Sequence, residues 1–208
     1  MKDWIKNLMA DTIQFCGDSF CADTDEISWT TILAKKLGAI IIGKGRRGTA
    51  HETVFKTFKT NATYTVICWT DANRVHVPTR DHAALPGATR RFHPLSSSYK
   101  KSEGKFLTAA LGYYKYLHSI DYVKQRQQRE LYWFDQTVLS KSNSKIVHLF
   151  CFNKTYTFDN GYTHDKPIKS MYNSLEPDKN VTYSNHLSPE DNDNLARQVY
   201  TYLELTHD

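Results

Sequence analysis

Four residues in this chain are of the types that acyl transfer requires, and each follows or precedes a segment of regular hydrophobic pattern. Ser19 comes after the apolar run TIQFC, Gly48 after AIIIG, Asn73 after TYTVICW, and His186 just before the last amphipathic segment. In acyl transfer a hydroxyl attacks, an imidazole takes its proton, and N–H donors hold the oxyanion that develops. A competing interpretation of Ser19 is an ordinary turn, since Gly, Asp and Ser are common turn formers.

The segments around these residues predict alternating strands and helices. TIQFC, AIIIG, TYTVICW and SKIVHLFCF are short apolar runs typical of buried parallel strands. SWTTILAKKLG predicts a helix between Ser28 as N-cap and Gly38 as its C-terminal glycine, and SPEDNDNLARQVYTYL predicts another that starts after Ser188. This alternation predicts an α/β fold with three α/β/α layers, a flavodoxin-like parallel sheet with helices on both faces. Because ligands bind at the carboxyl ends of such strands, the four residues are expected to meet.

The chain is predicted to form one domain over residues 1–208, since its 208 residues suffice for a single core. An irregular insert rich in Pro, Gly, Ser and Arg follows the third strand, at about residues 71–104. Helical signal resumes after this insert and continues to about residue 138, as one long helix or two consecutive ones.

Composition excludes several classes of protein. No apolar run is as long as a membrane span, and the first residues lack the apolar centre of a signal peptide, so no membrane partner and a cytoplasmic location are expected. The four cysteines have no CxxC spacing, so neither a zinc site nor a disulfide framework is expected. The net charge is +5, and nine Lys or Arg residues stand against three acidic ones between Gly43 and His93.

In order along the chain, the motifs resemble the blocks of the SGNH, or GDSL-type, hydrolase superfamily. FCGDSF resembles the first block and GKGRRGTA the second, while NHLSPEDNDNLA resembles the last. The resemblance implies that Ser19 is the nucleophile, that His186 is the general base, and that Ser19 N–H, Gly48 N–H and the Asn73 side chain hold the oxyanion. No cofactor or metal is implied.

Two positions depart from the family pattern. The third block expects Gly-x-Asn-Asp, but the chain reads CWTDANR, so Asn73 lies late and Asp71 or Thr70 are alternatives for its place. This Trp-Thr…Arg form resembles SGNH-like proteins encoded by bacteriophages, for which the expected location is the host cytoplasm. The family also carries an Asp three residues before the His, where this chain has Tyr183. Three alternatives remain for the role of this Asp, which orients the imidazole. A Ser–His dyad works without it, a carboxylate from elsewhere in the chain replaces it, or the fold is kept without full activity.

A basic rim is expected beside the site. Lys44, Arg46 and Arg47 lie in the second block, and Arg74, Arg80, Arg90 and Arg91 follow the third strand. Clustered guanidinium groups favour anionic ligands, whereas scattered solubilising charges are the competing explanation. The residues expected to bind substrate are Asp18, Asp71, Arg74 and Arg47.

Two functions follow from these patterns. The first is a serine hydrolase, an esterase that cleaves an acyl or O-acetyl ester of a small molecule or glycan. If the basic rim binds this substrate, the substrate is anionic. The second is a non-catalytic module on the same fold that uses the basic rim to bind a nucleotide, nucleic acid or an acidic partner. The altered third block and the missing Asp favour the second, and the order of Ser, Gly and His favours the first.

Overall fold

A computed structural model describes residues 10–74, 108–109, 112–172 and 183–205 of the chain. Its sheet has five strands in the order β2-β1-β3-β4-β5, and every neighbouring pair is parallel. This order is that of flavodoxin-like sheets, as predicted. The strands are β1 (Thr12–Gly17), β2 (Ile40–Gly43), β3 (Tyr64–Trp69), β4 (Lys145–Phe150) and β5 (Tyr162–Thr163).

Helices connect the strands, and three predicted helix ends are confirmed. The Ser28 side chain accepts a hydrogen bond from the Thr31 N–H, and Gly38 closes the same helix in the left-handed conformation at φ 62°. The Ser188 hydroxyl accepts from the Asp191 N–H in the last helix. The helices are α1 (Trp29–Leu37), α2 (Glu52–Thr57), α3 (Ile120–Thr137), α4 (Ile168–Met171) and α5 (Pro189–Leu205), with 3₁₀ turns at Ser19–Cys21 and Leu139–Lys141. Residues 112–116 are also helical, so the segment before α3 is interrupted.

The sheet lies between two hydrophobic cores, because successive side chains of a strand point to opposite faces. On β3, Val66 and Cys68 pack into the core formed with α1 and α5, whereas Ile67 and Trp69 pack into the core formed with α2 and α3. All four side chains are fully buried, and burying one such apolar side chain stabilises the fold by about 1.5–3 kcal/mol. The predicted three layers are therefore confirmed.

Several elements differ from the sequence expectation. The apolar segment of β2 forms the edge of the sheet, where Ile40 is 58% exposed, although its composition predicted a buried strand. The short β5 and α4 fall in a polar stretch for which no regular structure was predicted. Residues 75–104 of the insert lie outside the described residues, and the single-domain organisation stays a prediction.

Among the residues that the structure describes, no helix is both long enough and apolar enough to cross a membrane.

Candidate active site

The predicted nucleophile lies on a tight turn at the carboxyl end of β1. Gly17 ends the strand with φ 146°, and a Cβ there would lie 2.3 Å from the carbonyl oxygen of Cys68, so only glycine fits. Asp18 then caps the 3₁₀ turn, since its Oδ1 accepts from the Phe20 N–H at 3.1 Å. Ser19 is half-buried at the start of this turn, which presents its hydroxyl at the rim of the sheet.

A buried ion pair holds this turn from below. Arg74, which is 6% exposed, donates from Nη1 to Asp18 Oδ2 at 2.8 Å and to the Thr49 carbonyl oxygen at 2.8 Å. Thr70 donates its hydroxyl to the same Asp18 oxygen at 2.7 Å. The structure thus pairs Asp18 and Arg74, both expected to bind substrate, with each other beneath the nucleophile turn. The ends of β1 and β3 and the loop after β2 are joined through these two side chains.

The loop after β2 packs directly against the nucleophile turn. Arg46 N–H donates to the Gly17 carbonyl at 2.9 Å, and the Thr49 hydroxyl contacts the same carbonyl at 3.4 Å. Gly45 touches the turn so closely that a Cβ would lie 2.5 Å from the carbonyl oxygen of Asp18. Gly48, between these contacts, adopts a positive φ of 70°.

The two predicted main-chain oxyanion donors keep their N–H groups available. Within residues 10–74, 108–109, 112–172 and 183–205, neither Ser19 N–H nor Gly48 N–H donates to a protein acceptor. For Ser19 this follows from its place at the start of a helical turn, where the first N–H groups have no intrahelical acceptor.

His186 reaches Ser19 from the opposite end of the chain on a tight hairpin-like turn. Ser184 and Leu187 exchange both main-chain hydrogen bonds, at 3.1 and 2.9 Å, and the two residues between them have positive φ values of 51° and 66°. Positive φ at both central positions is the pattern of a type I′ turn. The turn places His186 Nε2 2.8 Å from Ser19 Oγ, so the hydroxyl can donate to the imidazole when the ring proton is on Nδ1.

Three side chains from other elements anchor this turn. The main chain and carboxylate of Asp23 form hydrogen bonds with Asn185, and Asp25 Oδ2 accepts from the Ser184 hydroxyl at 2.8 Å.

Asn192, which is fully buried in α5, donates from Nδ2 to the carbonyls of Ser184, Leu187 and Ser188, each at 3.0 Å. Its Oδ1 accepts from the Trp29 N–H at the start of α1, at 2.8 Å. The general-base candidate is therefore fixed to both helices on this face.

The environment of His186 favours the neutral imidazole. His186 is exposed as a residue, but its ring packs against Phe20 with centroids 5.0 Å apart, and this partial loss of solvent lowers the pKa of His186 below its ordinary value. The Asp18 and Asp23 carboxylates act in the opposite direction and Arg47 in the same direction, but desolvation dominates. At neutral pH the ring is thus in the form that accepts a proton.

The third-block residues are held away from this contact. Asn73 Nδ2 donates to Asp71 Oδ1 at 2.9 Å, and Asn73 Oδ1 faces His118 Nε2 at 3.2 Å. The described contacts place both side chains at the loop after β3, towards His118, and none of them joins Asn73 to Ser19. Thr70, one of the two alternatives for this block, points at Asp18 instead.

The basic rim is described only in part. Lys44, Arg46 and Arg47 are exposed, and the Arg47 side chain, 69% exposed, forms an ion pair with Asp23. Arg80, Arg90 and Arg91 lie outside the described residues.

Sequence reasoning missed two side chains that shape the site. Asn192 could have been recognised, because it lies on the same face of α5 as the core residues Leu195 and Val199. A buried amide at such a position needs partners, which the His186 turn supplies. Asp23 gave no comparable signal, since an acidic residue before a helix is common.

One group of described residues has the composition of a metal site. His51, Glu52 and Glu130 lie close together, and His51 is fully buried. However, the ring presents Nε2 to Glu130 at 2.5 Å and Nδ1 to Glu52 at 3.6 Å, so the two carboxylates lie at different nitrogens of one imidazole. Arg126 lies 3.5 Å from Glu52 and 3.7 Å from Glu130 and already supplies a positive charge. The arrangement is that of an ion-pair network rather than a chelate.

Comparison with known proteins adds one distant similarity. No protein-family model matches the chain, and no curated protein matches it. Among solved structures, the chain is similar to an acetyl xylan esterase (Est2A) from the rumen bacterium Butyrivibrio proteoclasticus, with a TM-score of 0.44 and 9% sequence identity. The alignment covers 96% of this chain, which spans 64% of the length of that esterase.

Proposed function

We propose that the chain is a serine hydrolase of the SGNH, or GDSL, type that cleaves an acyl or O-acetyl ester. The observation that carries the proposal is the 2.8 Å contact between Ser19 Oγ and His186 Nε2, two residues from opposite ends of the chain. A hydroxyl and a neutral imidazole at hydrogen-bond distance are the nucleophile and base of acyl transfer. Asp18 caps the turn that carries Ser19, and Asn192 holds the turn that carries His186, so buried polar side chains fix both sides of the contact.

The proposed reaction has two stages, acylation of Ser19 and hydrolysis of the acyl-enzyme. Ser19 Oγ attacks the ester carbonyl carbon while His186 Nε2 takes the hydroxyl proton, and the N–H groups of Ser19 and Gly48 stabilise the oxyanion. As the carbon–oxygen ester bond breaks, His186 gives its proton to the leaving alcohol, and an acyl-Ser19 ester remains. Water then attacks this ester with His186 again as base, which releases the carboxylic acid and restores the Ser19 hydroxyl.

The substrate is proposed to be a small or glycan-borne ester with an anionic group. This rests on Lys44, Arg46 and Arg47, which are exposed in the loop that also carries the proposed oxyanion glycine. Guanidinium groups bind carboxylate and phosphate oxygens in pairs, and the attraction weakens as salt is added.

The test of hydrolase function is labelling with a fluorophosphonate probe, which modifies an activated serine hydroxyl. We expect one labelled site, at Ser19, that disappears in S19A and falls at least about a hundredfold in rate in H186A. S170A is the matched control, because Ser170 is an exposed serine on α4, and it should label like the wild type. Absence of labelling in the wild-type protein would contradict the proposal, and tight polyanion binding in that case would support the non-catalytic module.

The anionic preference needs a separate experiment. Hydrolysis of a neutral and an anionic p-nitrophenyl ester is compared over a salt series for wild type, R46A and R129A. R46A keeps the main-chain bond to Gly17 and removes one cation near the site, whereas R129A removes an exposed cation on α3. We expect KM for the anionic ester alone to rise with salt and in R46A. Equal behaviour of the two esters would refute the anionic substrate.

A further inference from the structure

Asp23 occupies a position that links three parts of the candidate site. It lies four residues after the nucleophile, in the loop that leaves the 3₁₀ turn, and its side chain is 17% exposed. Its Oδ1 pairs with Arg47 from the loop that carries Gly48. Its Oδ2 accepts from the N–H of Asn185, the residue next to His186, at 3.0 Å. The nucleophile, oxyanion and base segments therefore meet at this carboxylate.

The contact with Asn185 is reciprocal. Asp23 N–H donates to Asn185 Oδ1 at 2.7 Å, and Asn185 Nδ2 donates back to the Asp23 carbonyl at 3.3 Å. Together with the carboxylate contact, three hydrogen bonds fix Asn185 in its left-handed conformation. A non-glycine residue at positive φ is strained and persists only where its surroundings hold it. Asp23 supplies much of that restraint at the residue which sets the direction of the His186 side chain.

We infer that Asp23 is the positioning residue of this site and that it replaces, from a different place in the sequence, the carboxylate that usually stands before the histidine. The inference rests on the proposed serine hydrolase function. Tyr183, at the usual place, cannot supply a carboxylate. Asp23 acts through the turn by holding Asn185, and through space because its charge favours the imidazolium that forms when His186 takes the Ser19 proton.

The charge has a measurable consequence. Among the described residues, the charged groups that shift the pKa of His186 include the carboxylates of Asp18 and Asp23, which raise it, and the guanidinium groups of Arg47 and Arg74, which lower it. Asp23→Asn removes one negative charge, and its neutral amide no longer offsets the Arg47 charge that lowers the pKa of His186. Both effects disfavour the imidazolium, so the pKa of His186 is expected to fall in this variant.

The experiment compares D23N, D23A and the matched control D25N. Asp25 is another carboxylate that anchors the same turn, through Ser184, without a bond to Asn185. For D23A we expect kcat to fall by about 10²-fold with little change in KM, the effect of a misplacement of roughly 1 Å at a catalytic group. For D23N we expect a smaller loss in kcat and an acidic limb of kcat/KM that moves to lower pH. D25N should keep the wild-type pH profile.

An NMR titration of the His186 ring separates this inference from the proposed function. The pKa of His186 should be lower in D23N than in the wild type and D25N, whether or not any ester is hydrolysed. An unchanged pKa and an unchanged pH profile in D23N would overturn the role of Asp23 while leaving Ser19 labelling intact. A wild-type protein that fails to label at Ser19 overturns the hydrolase function, and the role of Asp23 in positioning the base falls with it.

Discussion

The buried pair between Arg74 and Asp18 makes a quantitative prediction about stability. Asp18 is fully buried and Arg74 is 6% exposed, so Arg74→Met leaves an uncompensated carboxylate inside the protein. Removing one partner of such a pair destabilises a protein by about 3–5 kcal/mol. For a domain of this size the loss corresponds to a fall in Tm of roughly 6–20 °C. Methionine keeps an unbranched apolar chain over Phe152, whose ring centroid lies 5.5 Å from the Arg74 guanidinium carbon, so lost packing adds little.

The assay is urea unfolding of the wild type, R74M, D18N and the double variant, followed by circular dichroism. Each single variant leaves one buried group without its partner, whereas the double variant removes both charges. The double variant should therefore be more stable than the sum of the single losses implies, by at least about 1 kcal/mol. A loss below about 1 kcal/mol in R74M that simply adds to that of D18N would refute the buried coupling.

Three further predictions test the surroundings of the site. Gly45→Ala should destabilise the protein by about 1–3 kcal/mol and slow Ser19 labelling, because its Cβ would lie 2.5 Å from the Asp18 carbonyl oxygen; a wild-type unfolding curve would contradict the close packing. Asn192→Ala should cost about 3 kcal/mol in urea unfolding and reduce kcat, because it leaves the buried Trp29 N–H without its acceptor and removes the amide donor from three carbonyls of the His186 turn; a loss of stability without a loss of kcat would contradict its support of the turn. Burial lowers the pKa of His148 from 6.5 to about 4, so the unfolded chain takes up a proton first as pH falls. The free energy of unfolding should drop by up to about 3 kcal/mol between pH 6.5 and 4. In H148Q, whose side chain can still accept from Trp69, the free energy of unfolding should depend less on pH over this range.

The sequence was sufficient for those parts of the fold that depend on local pattern. The apolar run before Ser19 and the caps at Ser28 and Gly38 have local physical causes, and both lie where they were predicted. The edge position of β2 could not be predicted, because a run of three isoleucines has the same pattern at the edge and in the centre of a sheet. The two residues of β5 are too few to show any periodicity.

The sequence predicted which residues of the candidate site lie close together at the strand ends. It did not predict which distant side chains pair with each other. Ser19 and His186 were expected to meet because parallel strands share one carboxyl edge, and the structure brings them to 2.8 Å. Arg74 was expected on the rim, but whether a guanidinium faces solvent or a buried Asp18 depends on packing that no local pattern reveals. The register of Asn73 after β3 likewise depends on loop geometry, which turns its amide towards Asp71 and His118.

The attachment of Asn192 to both α1 and the His186 turn determines how the proposed hydrolase would lose its activity on partial unfolding. The Asn192 side-chain amide joins the start of α1 to the turn that carries the proposed base, His186. A fluctuation that detaches α5 therefore withdraws the imidazole from Ser19 while the five-stranded sheet remains paired. In mild denaturant, the reactivity of Ser19 should therefore be lost at a lower denaturant concentration than the sheet structure. The loss of reactivity would then measure the detachment of α5 and not global unfolding.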